Sequence, residues 1–344
     1  MSWINDIGPL GDVVLSSRIR LARNLADIPF PQAMDKIDRD SVIHGVYRSI
    51  AGSDSPIGEE FQFLSMKDLS HVDRQILVEK HLASPDLMKY HERSAILVNW
   101  QEECSIMINE EDHIRLQCIL PGYQLKRGLD YLDNIDDIIE AQLPYAFDPN
   151  LGYLTSCPTN LGTGMRASIM LHLPILATTG QMKAMLQTLA KIGVTVRGLY
   201  GEGSEVMGDI YQISNQITLG ASEEEIISNL EIVTKQIVQK EKQARQLALA
   251  GSRIHLEDEI WRAYGTMLHA RCMDFNEFME LLSTLRLGVE TGIMTKIDIK
   301  TINRLMIMGQ PGHLRKYGDK TIGDLDIIRA EVISKLLRST ELEN

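Results

Sequence analysis

Short apolar or β-branched runs bounded by turn residues mark the first two-thirds of the chain. Residues 94–99, 104–109, 113–120, 194–200 and 209–217 have this texture and are expected as strands. Helical spacing is read over 71–83, 129–142, 166–172 and 180–192. The connections between 94–99, 104–109 and 113–120 are too short for a crossover helix, so these strands should pair antiparallel. The expected fold class is α+β, an antiparallel sheet flanked by helices.

The texture changes at Ser222. Ile226, Leu230, Val233 and Ile237 recur at helical spacing beneath a polar face, and Ser222 with Glu225 has the spacing of a capping box. A single long helix ending near Gly251 is expected. Beyond it, residues 255–340 alternate helical spacing with glycine breaks at Gly288, Gly292, Gly309, Gly312, Gly318 and Gly323. Two domains follow from the pattern, 1–254 with most of the strands and 255–344 mostly helical. A length of 344 residues agrees with that division, at roughly 150 residues per domain.

Hydrophobic residues make up 44% and charged residues 24%, and no apolar run reaches the ~18 residues a membrane span requires. No membrane association is expected. The formal charge is 35 − 47 = −12, so no overall positive field steers nucleic acid to the surface. The first residues, Met-Ser-Trp-Ile-Asn-Asp-Ile-Gly, lack the basic and apolar regions of an export signal. Cys104, Cys118, Cys157 and Cys272 are widely spaced, with no metal-ligand rhythm, which suits a reduced, cytoplasmic protein.

Gly162-Thr-Gly164-Met-Arg-Ala167 matches a dinucleotide-binding spacing but follows Cys-Pro-Thr-Asn-Leu instead of an apolar strand, so its structural context is missing. No P-loop string occurs, and His269 with Cys272 has no second ligand pair nearby.

The arginines carry more information. Arg18 and Arg20 flank Ile19, so an extended segment would place both guanidinium groups on one face. His113, Arg115 and Gln117 share a face by the same alternation. Arg166 is expected to open a helix after a glycine turn, and Arg197 lies on a strand before Gly-Leu-Tyr-Gly-Glu. Guanidinium binds phosphate oxygens in bidentate fashion and keeps its charge, so five such residues near strand ends suit a polyphosphate. Glu110, Glu111 and Asp112 are consecutive acids, which repel one another unless a cation neutralises them. Glu202 and Glu205 lie in a glycine-rich loop, Gly201–Gly208. Acids beside phosphate-binding arginines point to a cationic acceptor.

Six strings come in one order: Ser16-Ser-Arg-Ile-Arg20, Glu79-Lys-His-Leu82, Asn109-Glu-Glu-Asp-His-Ile-Arg115, Cys157-Pro-Thr-Asn-Leu-Gly-Thr163, Arg166-Ala-Ser168 and Arg197-Gly-Leu-Tyr-Gly-Glu202. Over roughly residues 12–245 the chain resembles the phosphagen kinases, which transfer the terminal phosphoryl of ATP to a guanidinium nitrogen. That resemblance implies a glutamine-synthetase-like catalytic domain. Its closest likeness is to the bacterial protein-arginine kinases, because only 15 residues precede Ser16 where small-molecule enzymes carry a helical domain, and because a helical domain follows residue 255.

The resemblance implies ATP and Mg²⁺ as cofactors. Nucleotide contacts would come from Ser16, Ser17, Arg18, Ile19, Arg20, His81, Arg115, Arg166, Ala167, Ser168, Ile169, Met170, Arg197, Gly198, Leu199, Tyr200, Gly201 and Glu202. Glu110 would reach the metal through water. Glu111 matches the base, Glu202 a second guanidinium clamp, Arg197 a catalytic cation, and Cys157 the reactive thiol; the alternative for Cys157 is a small buried residue. A full deprotonation before attack is uphill, since guanidinium holds its proton to above about pH 12, so the proton should leave late.

In the helical domain the family's phosphoarginine motif appears as Leu325-Asp-Ile-Ile-Arg-Ala330, with Asp326 and Arg329 matching and Leu325 replacing an arginine. A packing or dimerisation helix is the alternative there. Implied partners are arginine-bearing protein substrates, a zinc-binding activator protein, a Clp ATPase and a second copy as homodimer. Implied roles are the marking of proteins for Clp-type degradation and control of a heat-shock repressor. Competing functions are a kinase for free arginine or another small guanidino compound, and a non-catalytic adaptor of a protease system.

Overall fold

The computed structural model describes residues 2–52, 56–198, 206–318 and 323–343. Ten strands occur among them: β1 Val14–Arg23, β2 Phe61–Ser65, β3 Ala95–Asn99, β4 Cys104–Ile108, β5 Ile114–Pro121, β6 Phe147–Asp148, β7 Gly152–Tyr153, β8 Met165–His172, β9 Val194–Arg197 and β10 Ile210–Asn215. Eight form one sheet in the order β2-β3-β4-β5-β1-β8-β10-β9, and β6 pairs with β7. The pairs β2/β3, β3/β4, β4/β5 and β1/β5 are antiparallel, as the short connections require.

The chain divides into two compact units: residues 1–3, 16–168 and 214–231, then residues 4–15, 169–213 and 232–344. In the first, β3 and β4 are buried at every residue, which accounts for their mostly apolar sequences without polar alternation. The helix Leu125–Glu140 buries Leu125, Gly128, Leu129, Leu132, Ile135 and Ile139, one apolar stripe at helical spacing. Gly128 is held close to the sheet: a Cβ there would lie 3.4 Å from Ile19 Cγ1 and 3.9 Å from Cys118 Sγ. Ile19 and Cys118 therefore face this helix, and alternation turns Arg18, Arg20, Arg115 and Gln117 to the opposite face. That face is sealed beyond β5 by Met66, Leu82, Leu87, Ile96, Val98 and Met107, a cluster that brings in the turn bearing His81.

In the second unit a buried polar network joins β8 to the later helices. Arg245 Nε donates to Glu241 Oε1 at 2.8 Å, and Arg245 Nη1 lies 2.9 Å from Glu290 Oε2. Arg286 Nε donates to Glu290 Oε1 at 2.7 Å, and the two ring nitrogens of His172 meet Glu290 Oε2 at 3.2 Å and Ser283 Oγ at 2.9 Å. Two arginines balance two glutamates, so the charges are compensated although all are buried. Burial depresses the His172 pKa and leaves the imidazole neutral. Burial opposes the Glu290 charge, but Arg286, His172 and Arg245 outweigh it and hold the carboxyl below its usual range.

One expectation is corrected. Residues 166–172 form strand β8, not a helix: all but Arg166 are buried, and a strand covered on both faces has no alternating pattern to read. The long helix breaks beside Gly251, as its spacing predicts: helical backbone runs from Glu223, non-helical backbone at Ser252 (φ −145°, ψ 36°) interrupts it, and a second helix continues to His269.

Candidate active site

Strand β1 supplies the first two cations. Its register against β5 sets Arg18 opposite Ile119, Arg20 opposite Gln117 and Ala22 opposite Arg115, so these positions share a face. Arg18 Nε points to Ser168 Oγ on β8 at 3.4 Å, which places Arg166, two residues earlier on that strand, on the same side. Arg18, Arg20, Arg115 and Arg166 thus converge on one sheet face.

Their electrostatics are adverse without an anion. Burial, then the charges of Arg115 and Arg166, brings the Arg18 pKa down to about 10. Arg20 is pushed well below the usual guanidinium value by burial and by Arg18, Arg115 and Arg166, with partial relief from Glu110, and its buried Nε has no hydrogen-bond partner. Burial also opposes the Arg115 charge, but Glu110, Glu111 and Asp112 more than compensate and raise it. Four half-buried cations converging on one face fit a polyphosphate.

His81 adjoins this face. Its backbone is left-handed (φ 59°), its carbonyl accepts from Gln117 Nε2 at 2.6 Å, and its ring lies 5.7 Å from that of Trp3. Burial and Arg18 push its pKa down to about 3, so it offers a neutral ring for stacking.

The β4–β5 turn presents the acids. Arg115 Nη2 donates to Glu111 Oε2 at 2.8 Å and Nη1 lies 2.7 Å from Glu110 Oε2, so both glutamates border the cationic face. Glu110 is buried and also accepts from Ser84 Oγ at 2.6 Å. Glu111 is more open, its side chain 38% exposed. Burial raises its pKa; Arg115 opposes that, while Asp112, Glu110 and Asp86 add to it. A basic carboxylate open to solvent at the edge of a phosphate cradle can receive a proton from an incoming cation.

Asp112 ties the next element to this turn. Its Oδ1 accepts from Ser156 N at 2.7 Å and from Asn24 Nδ2 at 2.7 Å. The adjacent Cys157 is half-buried, with Sγ 3.0 Å from Thr159 Oγ1. Sequence reasoning missed the tethers Asn24, Ser84 and Asn109, whose partners are distant in the chain; a left-handed Asn109 (φ 60°) donating to Arg39 O and Arg93 O fixes the start of the turn.

The remaining expected residues take several positions along these strands. Ser17 Oγ donates to Gly122 O at 2.7 Å and accepts from Gln124 N, and Ile19 lies in the core, so both face away from the arginines. Ser16, Ala167, Ile169 and Met170 are buried strand residues. His113 is structural: Nδ1 accepts from Leu25 N at 3.0 Å and Nε2 meets Pro29 O at 2.8 Å. Arg197 ends β9 and Gly198 follows it in the second unit; Leu199, Tyr200, Gly201 and Glu202 lie outside the described residues. Among the described residues no group of three or more His, Cys, Asp or Glu side chains could hold a metal ion. Arg329 is buried, with Nε donating to Gly309 O and Nη1 to Met273 O and to Asp326 Oδ1 at 2.6 Å.

Residues 42–244 match the family model of the ATP:guanido phosphotransferase C-terminal catalytic domain, and residues 253–344 match that of the protein-arginine kinase McsB C-terminal domain. The chain belongs to the protein-arginine kinase branch of the ATP:guanido phosphotransferases. A protein-arginine kinase from Caldanaerobacter subterraneus subsp. tengcongensis is 48% identical over 96% of this chain and 98% of its own. One from Desulforamulus reducens is 47% identical over 99% of this chain and 96% of its own. Among solved structures, a lombricine kinase is similar with TM-score 0.60 at 25% identity, covering 69% of this chain and 68% of that one. The duplicated taurocyamine kinase of Schistosoma mansoni shares the fold with TM-score 0.61 at 24% identity, over 77% of this chain and 40% of that one. As a member of this family the chain is an enzyme of the phosphagen kinase type, and the phosphagen kinase fold is confirmed.

Proposed function

We propose that the chain transfers the terminal phosphoryl group of ATP to the guanidinium of an arginine side chain in a protein. The observation that carries this is the 2.8 Å contact between Glu111 and Arg115, which sets an accessible, basic carboxylate against the phosphate cradle. The names of the relatives supply the acceptor class.

Arg18, Arg20, Arg115 and Arg166 hold the triphosphate and spread positive charge about the phosphoryl in flight. Arg197 adds to them, and Glu202 clamps the guanidinium. Glu111 aligns one guanidinium nitrogen in line with phosphorus; the N–P bond forms, the bond to the β-phosphate oxygen breaks, and the nitrogen's proton passes to Glu111 as ADP leaves. Cys157 gives the acceptor a further polar contact. Mg²⁺ neutralises phosphate charge when bound. Both oxygens of Glu110 already face Arg115, and Oε1 also accepts from Ser84. The ion would therefore be held mainly by phosphate and water, with Glu110 reaching it through water.

By the same likeness we extend the proposal to a cytoplasmic enzyme, a homodimer, that works with an activator protein and a Clp ATPase, marks proteins for degradation and acts on a heat-shock repressor. It also includes Asp326 and Arg329 as a phosphoarginine contact, where phosphate would compete with Asp326 for Arg329 Nη1. Among the described residues no helix is long and apolar enough to cross a membrane.

Incubation with ATP and a denatured arginine-rich protein should yield acid-labile phosphate on protein. Labelling of free arginine alone would replace the acceptor assignment, and labelling of neither would overturn the transferase.

A further inference from the structure

Beside the Cys157 segment the first unit has a shallow cavity of about 450 Å³. Its rim carries Phe147, Leu151 and Leu219, exposed by 56%, 43% and 48%. Large apolar side chains scattered singly on a surface need no explanation, but these three stand around one cavity. Tyr153 extends the platform, its ring 5.3 Å edge-on from that of Phe147. The Arg23 guanidinium stacks 3.6 Å from the Tyr153 ring centroid and is neutralised by Asp136 at 2.8 Å. The open charge on the rim is the half-buried Glu223 carboxylate; burial raises its pKa, Arg23 opposes that, and Asp133, Asp136 and Glu224 add to it.

The floor is tied together by hydrogen bonds and runs into the segment that bears Cys157. Tyr153 N donates to Gly162 O at 2.8 Å, Thr163 N donates to Thr218 O at 3.1 Å, and Thr218 Oγ1 donates to Thr159 O and Leu161 O. A Cβ on Gly162 (φ 110°) would lie 2.3 Å from Thr218 O, so glycine is what lets these backbones meet. Gly162 is five residues from Cys157, which bounds their separation at about 17 Å, the reach of about five extended residues.

We propose that this cavity is a docking subsite for the polypeptide acceptor, taking an apolar side chain with a neighbouring lysine or arginine, within about five residues of the arginine that is modified. This rests on the protein-arginine reading above. The apolar rim takes the aliphatic group, and Glu223, the one acid lining the cavity, takes the cation. The subsite acts on ground-state binding of the substrate, at a distance from the transferred group.

Two synthetic peptides with one arginine each test it on the full chain, one carrying leucine and lysine on the flanks and the other glycine and serine. The flanked peptide should have a KM about tenfold lower, the range expected for burying one apolar side chain. In the double variant Phe147→Ala, Leu219→Ala that advantage should disappear with kcat and the KM for ATP unchanged, and Glu223→Gln should remove the part due to lysine. Equal KM values for both peptides in the wild type, or an undiminished advantage in the double variant, would overturn the docking site while leaving the transferase intact. A change of oligomeric state in the double variant, with peptide kinetics unaltered, would assign the surface to a second copy instead. If neither peptide nor free arginine is phosphorylated, the reading of function fails and the subsite with it.

Discussion

Replacing Arg18 with methionine should move two properties in opposite directions. The substitution keeps much of the aliphatic stem and removes one of the four half-buried cations. Arg18 is held at a pKa of about 10, against an ordinary guanidinium near 12.5, and that difference is worth about 3 kcal/mol against the charged form. The sign follows from the depressed value: at neutral pH the penalty is fully present, and it fades only as pH rises from about 10 toward the unfolded value. The ligand-free variant should therefore be more stable than wild type by up to about 3 kcal/mol. Its ATP affinity should fall, because losing one member of a buried charge contact costs about 2–5 kcal/mol, or at least about 25-fold. At an ATP concentration of 100 times the wild-type Kd, nucleotide stabilises the wild type by about 2.7 kcal/mol and the variant by about 1 kcal/mol or less. Urea unfolding with and without ATP, at constant m-value, measures both numbers. A ligand-free variant less stable than wild type, or an undiminished ATP increment, would refute the reasoning.

Glu111→Gln should lower turnover by about 10²- to 10⁴-fold with ATP affinity nearly unchanged. Because its pKa is raised, the acid limb of the wild-type kcat/KM profile should lie above the ordinary carboxylate value; a limb at that value or below counts against Glu111 as base. Glu290→Gln leaves Arg245 and Arg286 short of a partner and should destabilise by about 3–5 kcal/mol, seen as a lower urea midpoint. With its carboxyl depressed, Glu290 contributes stability above the usual carboxylate pKa and loses it as pH falls toward the lower value, so the variant should show a shallower acid loss. Arg329→Met strips buried carbonyls of Gly309 and Met273 of their donor and should destabilise by at least about 2 kcal/mol; an unchanged melting curve would free Arg329 from this anchoring role.

The cationic face was legible because alternation is a local rule: Arg18 and Arg20 share a side wherever the segment is extended, and β1 is extended. Strand β8 was not, since Ala167, Met170 and Leu171 favour helix and the neighbours that impose a strand, β1 and β10, are remote in sequence. Arg23 shows the same limit from the other side. It lies three residues from Arg20, yet it turns to Asp136 and serves packing. The acids at 110–112 stand out in the chain, but the separate duty of Asp112 appears only when Asn24 and Ser156, 88 and 44 residues away, are brought to it. The end of the long helix was legible because a glycine breaks the helical spacing locally, and the non-helical backbone at Ser252 falls beside Gly251.

The tether from Asp112 to Ser156 has a practical use. A dye attached to Cys157 would sit beside the hairpin that holds Glu111 and Arg115, tied to it through Ser156, so its emission becomes a gauge of that hairpin's motion as nucleotide arrives. Cys104 and Cys118 are buried, which leaves the exposed Cys272 as the thiol to remove before labelling.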